Sequence, residues 1–274
     1  MFQQLPFPFL PLFVPADRPD RYLKAANSGA DAVIIDLEDA VVASAKVGAR
    51  EQLLASAAML AKCRVPVLVR VNAADTAWYE DDLASLRTLP LSGILLPKAE
   101  DPAAVGALAS SLSPGTELIA QIESPRGLVM ARGIAMAASR LAFGSVDFSV
   151  ALGIEHRRDA LLFARSELVL ASALAGRPGP IDGVTTALND DALTADDACY
   201  AAALGFGGKL LIHPRQVKPA AAAFAPTESQ EQWAMRVLAA SDGEAVAVDG
   251  AMVDAPVLQQ ASMILARASL ARRG

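Results

Sequence analysis

Glu123 carries the plainest chemical signal in the chain. It closes the apolar run "LIAQI" (118–122), and Ser124, Pro125 and Gly127 follow at once. A carboxylate at the end of an apolar strand is either a solvated loop charge or a placed functional group. Asp147, in "FGSVDF" (143–148), stands in the same relation to the next apolar run. Two such acids ending adjacent strands would offer hard oxygen ligands side by side. That suits Mg²⁺, which keeps several waters and takes one or two carboxylates together with substrate oxygens. The same pair could also do acid–base work without a metal. Zn²⁺ is disfavoured, because His156 and His213 are the only histidines and have no HxxxH-type spacing.

Arg70 in "VLVRVN" (67–72) is the next strong residue. Its guanidinium fork fits a carboxylate or a developing enolate oxygen, and the bland reading is a structural pair with Asp36 or Glu38 on the neighbouring strand. Lys98 in "LLPKAE" (95–100) raises Schiff-base chemistry, but Glu100 and the other acids nearby favour a charged, electrostatic lysine. His213, before Pro214, reads either as a general base or as a hydrogen-bonded structural residue. No Walker A motif and no GxSxG is present.

These residues need a scaffold, and the chain repeats one. Short apolar runs recur at 11–15, 31–39, 66–72, 93–100, 117–124, 140–148, 179–186 and 208–214, with Ala-rich helical segments between them. Asp101-Pro102 opens one such helix, and Thr194 with two acids is expected to open another. Buried parallel strands alternating with helices predict an α/β protein, a (β/α)8 TIM barrel. A doubly wound open sheet is the alternative, but no GxGxxG follows the first strand. Residues 1–226 read as the barrel and 227–274 as a C-terminal helical extension. In a barrel the catalytic groups sit at the C-terminal strand ends. Those ends carry Asp36, Glu38, Asp39, Arg70, Asn72, Lys98, Glu100, Glu123, Asp147, Asp182 and His213.

Composition sets the outer bounds. The 274 residues are 53% hydrophobic, enough for a large core. A net charge of −6 with scattered Lys and Arg argues against nucleic acid. No uninterrupted apolar run reaches membrane-spanning length, so no membrane partner is expected. The N-terminal stretch is apolar but broken by prolines and lacks a charged n-region, and the two cysteines fit no disulfide framework. A cytoplasmic protein is expected.

The stretches at 12–41, "VRVN", "LPKAE", "QIESPRG", "FGSVDF", "GKLLIHPRQV" and "DGAMVDAP" together resemble the citrate lyase β-subunit-like branch of the HpcH/HpaI aldolase superfamily, which includes malyl-CoA and citramalyl-CoA lyases. The resemblance spans nearly the whole chain in order. It implies an enzyme: a Mg²⁺-dependent carbon–carbon lyase, usually a homotrimer, joining or splitting a 2-oxo acid and an acyl-CoA. Carried over, it implies Glu123 and Asp147 as Mg²⁺ ligands, with Glu123 also facing substrate. Arg70 would grip the oxo acid and steady the enolate. Phe13, Arg18 and Lys24 would contact coenzyme A. Asp36 and Glu38 would orient Arg70 and metal-bound waters, with Lys98 in a supporting electrostatic role. Asp254 would be an acid/base group donated by a neighbouring subunit, although its place before Ala255-Pro256 also reads as a helix N-cap. The superfamily's sugar-acid aldolases carry "GEH" where this chain has "LED", so Asp39 replaces their base histidine. That departure disfavours the first alternative, a CoA-independent oxo-acid aldolase. The second is a β subunit of a larger lyase, acting on an acyl carrier protein.

Overall fold

The computed structural model describes residues 8–240, 246–249 and 251–271. Each predicted run contains one strand: β1 Pro11–Pro15, β2 Ala32–Asp36, β3 Val67–Arg70, β4 Gly93–Leu96, β5 Glu117–Ile122, β6 Arg140–Phe143, β7 Ile181–Asp182 and β8 Gly208–Lys209. They pair in chain order, every pair parallel. Parallel bridges Phe9–Gly208 and Leu12–Leu211, with Phe13 N–H donating to the Leu211 carbonyl at 2.8 Å, bring the last strand back to the first. The sheet closes into a (β/α)8 barrel.

Alternation along each strand builds two cores. Phe9, Ile34, Leu68, Leu95, Ile119 and Ile181 fill the barrel interior. Their sequence neighbours, such as Val33, Ile35, Val69, Ile94, Leu118 and Ala120, point outward and pack under helix residues including Leu53, Ile134 and Leu168. Because side chains alternate with period two, Asp36, Arg70 and Gln121 continue the inward rows begun by Ile34, Leu68 and Ile119. The inward row turns polar at its C-terminal end. That is what aims the functional groups into the mouth.

Local signals set several helix starts. Asp101 accepts from Ala103 N at 2.9 Å, with Pro102 at the first helical position, as its sequence predicts. Two boundaries differ from expectation. The helix expected to open at Thr194 spans Asp191–Leu204, because Asp190 is the residue that caps it, accepting from Leu193 N at 2.8 Å. The run expected to carry Asp147 at a strand end stops at Phe143. Gly144 then leads into the helix Ser145–Leu152, which places Asp147 in its first turn.

Beyond the barrel, the helices Glu228–Ala240 and Ala255–Ala271 share a separate apolar cluster formed by Ala234, Val237, Val253 and Ala261. Val246–Val248 and Ala251–Val253 form a small antiparallel pair beside it. Among the described residues no helix is long and apolar enough to cross a membrane.

Candidate functional site

The register of β2 on β3 sets Asp36 directly beside Arg70. Arg70 Nε and Nη2 donate to the two Asp36 oxygens at 2.7 and 2.6 Å, a bidentate charge-assisted pair. Asp36 also accepts the backbone N–H groups of Glu38 and Ala40 at 2.9 and 3.0 Å. The remaining guanidinium edge, Nη1, lies 3.2 Å from Glu38 and 3.3 Å from Asp39. The Phe13 ring centroid is 4.8 Å from the guanidinium carbon. Arg70 thus forms the structural pair that its position allowed, and it also lines the mouth cavity.

Glu123 is buried, with one oxygen accepting Lys98 N at 2.8 Å and the other held closely by the Gln121 amide. Lys98 has φ +47°, a left-handed backbone rare for a residue with a side chain. The Lys98 ammonium lies 3.6 Å from Glu38 and is about half exposed. Burial pushes the Glu123 carboxyl up to about 7 against the opposing pull of Arg70, and the Asp147 charge adds to the rise. Glu38 is pushed up to about 8, mainly by burial and further by its acidic neighbours, against the pull of Arg70. Among the described residues neither Glu38 carboxylate oxygen has a hydrogen-bond partner. Asp147 is also raised, by burial first and then by the Asp39 charge.

Among the described residues, the five acids Asp36, Glu38, Asp39, Glu123 and Asp147 are thus set against three cations, Arg70, Lys98 and Lys46. Such an excess of negative charge, buried at Asp36, Glu38 and Glu123 and with both Glu38 oxygens orphaned, is the environment a hard cation relieves, since the ion's own charge reverses the pKa shifts. Among the described residues no group of three or more His, Cys, Asp or Glu is preassembled around one metal position. The donor set fits an ion content with one or two carboxylates, which is the habit of Mg²⁺.

The cavity has a volume of about 380 Å³, with Phe13, Arg70, Gln121, Ser145 and Asp147 in its wall. A larger one of about 960 Å³ lies between the helices Tyr79–Leu86 and Pro102–Ser111, away from the strand ends, and gathers no cluster of acids. Gly144 is required at the smaller site, because a Cβ there would overlap the Glu123 carboxylate and the Gln121 amide. Gly144→Ala should displace Glu123 and lower turnover by at least about a hundredfold, the cost of roughly an ångström of misplacement. Thermal unfolding alongside steady-state rates checks this: lost stability with retained turnover would contradict it.

Other predicted residues fall elsewhere. Arg18 is partly exposed and paired with Asp20 at 3.0 Å, and Lys24 is exposed on the short helix Tyr22–Ala26. Asp254 is exposed and accepts Val257 N at 3.2 Å, so within one chain it caps the last helix. His213 accepts Arg215 N through Nδ1 at 3.2 Å, the structural reading. Asp182 is buried against Arg165 at 2.9 Å and Lys209 at 3.6 Å. Glu100 accepts the Ser124 hydroxyl at 2.5 Å. Gln121 and Lys46 were not singled out from sequence. Gln121 was legible from period two, being two residues before Glu123 on the inward row. Lys46, which donates to the carbonyls of Leu37 and Glu38 at 2.9 Å each, had no local signal.

Fold and site define a class: a parallel (β/α)8 barrel whose C-terminal rim gathers surplus acids round one small cavity. The HpcH/HpaI aldolase/citrate lyase family model matches residues 10–214. A citrate lyase subunit beta-like protein of Deinococcus radiodurans is 39% identical, covering 93% of this chain and 95% of that protein. A (3S)-malyl-CoA thioesterase of Cereibacter sphaeroides is 33% identical over 95% of this chain and 93% of its own. The crystal structure of Mycobacterium tuberculosis CitE with magnesium, acetoacetate and coenzyme A superposes with a TM-score of 0.84 at 36% identity, covering 98% of this chain and 100% of that one. The chain belongs to the HpcH/HpaI aldolase/citrate lyase family.

Proposed function

We propose that this protein is a Mg²⁺-dependent carbon–carbon lyase that splits or forms a 3-hydroxy-3-carboxyacyl-CoA, with an acyl-CoA and a 2-oxo acid as the two halves. One observation carries the reading: Arg70, at the end of β3, and Asp147 line a single cavity at the barrel mouth, and the buried Glu123, just past β5, feels the charge of both. Its support from relatives is the magnesium, acetoacetate and coenzyme A bound by the M. tuberculosis protein.

Glu123 and Asp147 would hold Mg²⁺. The bound ion would act as template and Lewis acid for the substrate's carboxylate and hydroxyl. Asp36 fixes the plane of Arg70, so that the guanidinium's charge is already in place when the thioester enolate develops. Preorganised charge of this kind usually supplies the largest catalytic term. Phe13 forms one wall, and the partly exposed Arg18 and the exposed Lys24, on the segment after β1, would meet the phosphates of coenzyme A. Asp254, exposed at the base of the last helix, would protonate the enolate carbon in a neighbouring copy's site. The extension 227–274 would then serve a homotrimer.

The test is a screen of acetyl-CoA and propionyl-CoA against glyoxylate, pyruvate and oxaloacetate with Mg²⁺, read by mass spectrometry. A new thioester is the expected product, and none from any pair would refute the lyase. The thioesterase among the relatives makes hydrolysis the second reading; free thiol released without an oxo acid would identify it.

The shared site has its own test. Asp254→Asn keeps most of a helix cap but cannot transfer a proton. Mixed with Glu123→Ala chains, it should restore partial activity that neither has alone. A dead mixture after demonstrated subunit exchange, or an active Asp254→Asn, would return Asp254 to capping.

A further inference from the structure

The lyase reading leaves the proton of the substrate hydroxyl without a carrier. Ser145 lies in the wall of the mouth cavity as the first residue of the helix Ser145–Leu152, two positions before Asp147. Its side chain is buried, and its Oγ lies 2.9 Å from His156 Nε2. Space for that hydroxyl is reserved at the neighbouring strand end, since a Cβ on Gly183, just past β7, would overlap it. His156 follows the helix in the connection to the next one, and its outer edge is exposed. A buried hydroxyl in the cavity is therefore joined through one hydrogen bond to an imidazole that reaches solvent.

The imidazole is facing charges from four elements. These are Arg165 on the helix Leu162–Leu174, Lys209 on β8, Asp182 on β7, and Asp197 on the helix Asp191–Leu204. Burial of its inner edge, with Arg165 and Lys209, holds its pKa below the ordinary value, against the opposing effect of the two aspartates. A neutral ring is one that can accept a proton. Asp39 also lines the cavity, but it is paired with Arg70 at 3.3 Å.

We propose that Ser145 and His156 form a proton relay between the substrate cavity and solvent. In the cleavage direction the substrate's O–H bond breaks and its proton passes to Ser145 Oγ, which gives its own proton to His156 Nε2. The electrons of that O–H bond become the carbonyl of the 2-oxo acid. The carbon–carbon bond breaks, and its electron pair moves onto the thioester as an enolate. The imidazolium then releases its proton to water. Condensation runs the same steps in reverse. Ser145 is the group at the substrate, and His156 is a positioning and relay residue acting through it.

This inference rests on the lyase reading, and the experiment separates the two. Thioester cleavage is measured with Mg²⁺ for the wild type, His156→Ala, His156→Gln and Ser145→Ala, each checked for unchanged thermal unfolding. His156→Ala should lose about tenfold or more in kcat with KM kept within about twofold, at the lower end of general acid–base contributions because water can partly substitute. Added imidazole should recover much of the loss, since the ring's site is open to solvent. His156→Gln should stay as slow as the alanine variant, because an amide can hold the hydroxyl but cannot carry the proton. Ser145→Ala should be slow and unresponsive to imidazole. Wild-type kcat in His156→Ala, full rescue by glutamine, or no response to imidazole would overturn the relay. A wild type that cleaves no thioester would instead overturn the lyase.

Discussion

Glu123→Ala and Asp147→Ala are each expected to abolish Mg²⁺-dependent turnover, by about a thousandfold or more, and to leave the barrel folded. The loss follows from charge. The site offers few preassembled ligands, so deleting one carboxylate removes a large share of the ion's hold. A loss of about 4 kcal/mol in transition-state stabilisation corresponds to that thousandfold. Glu123 has a second duty, accepting the Lys98 N–H and the Gln121 amide. Alanine strands both donors, at a cost of roughly 1–3 kcal/mol for a buried unsatisfied group. Glu123→Gln is therefore the sharper variant: its amide oxygen can still accept from Lys98, but its charge is gone. Calorimetric titration with Mg²⁺ should show binding lost in all three variants. Full turnover in chelator-treated wild type would refute the metal assignment.

Arg70→Lys is expected to lower kcat at least about a hundredfold. The guanidinium is locked by two bonds to Asp36, with its third nitrogen turned toward Glu38 and Asp39. A lysine delivers one mobile point charge where a planar fork is held in place. Loss of a single preorganised donor at a developing oxyanion costs about 10²–10³ in kcat. Stability should fall as well, because Asp36 is buried and keeps only part of its partnership. Arg70→Ala, which removes the cation bonded to Asp36, should unfold more easily still, by about 3–5 kcal/mol. Comparing kcat with Tm decides between the roles. Arg70→Lys with near-wild-type kcat and lowered Tm would leave Arg70 as a purely structural partner of Asp36.

Much of this protein was written into local sequence. Apolar runs of the right length, helix signals between them and acids at their ends are short-range features, and they sufficed for the eight strands and for the barrel. Asp101-Pro102 likewise reads as a helix start because a cap needs only its own next turn. What sequence could not decide was whatever depends on how distant strands meet. The bond from Arg70 to Asp36 exists because strand register sets the two side by side, 34 positions apart in the chain. Glu38 lies near Arg70 and Lys98, from separate strand ends, without a hydrogen bond to either, and no local pattern could show that. Asp147 sits on a helix rather than at a strand end, past Gly144, whose missing Cβ leaves the space that Glu123 fills. Period and capping are properties of a few successive residues. Register, closure and burial are set by the whole barrel, and they decided which of the rim's charges share a cavity and which only neutralise one another.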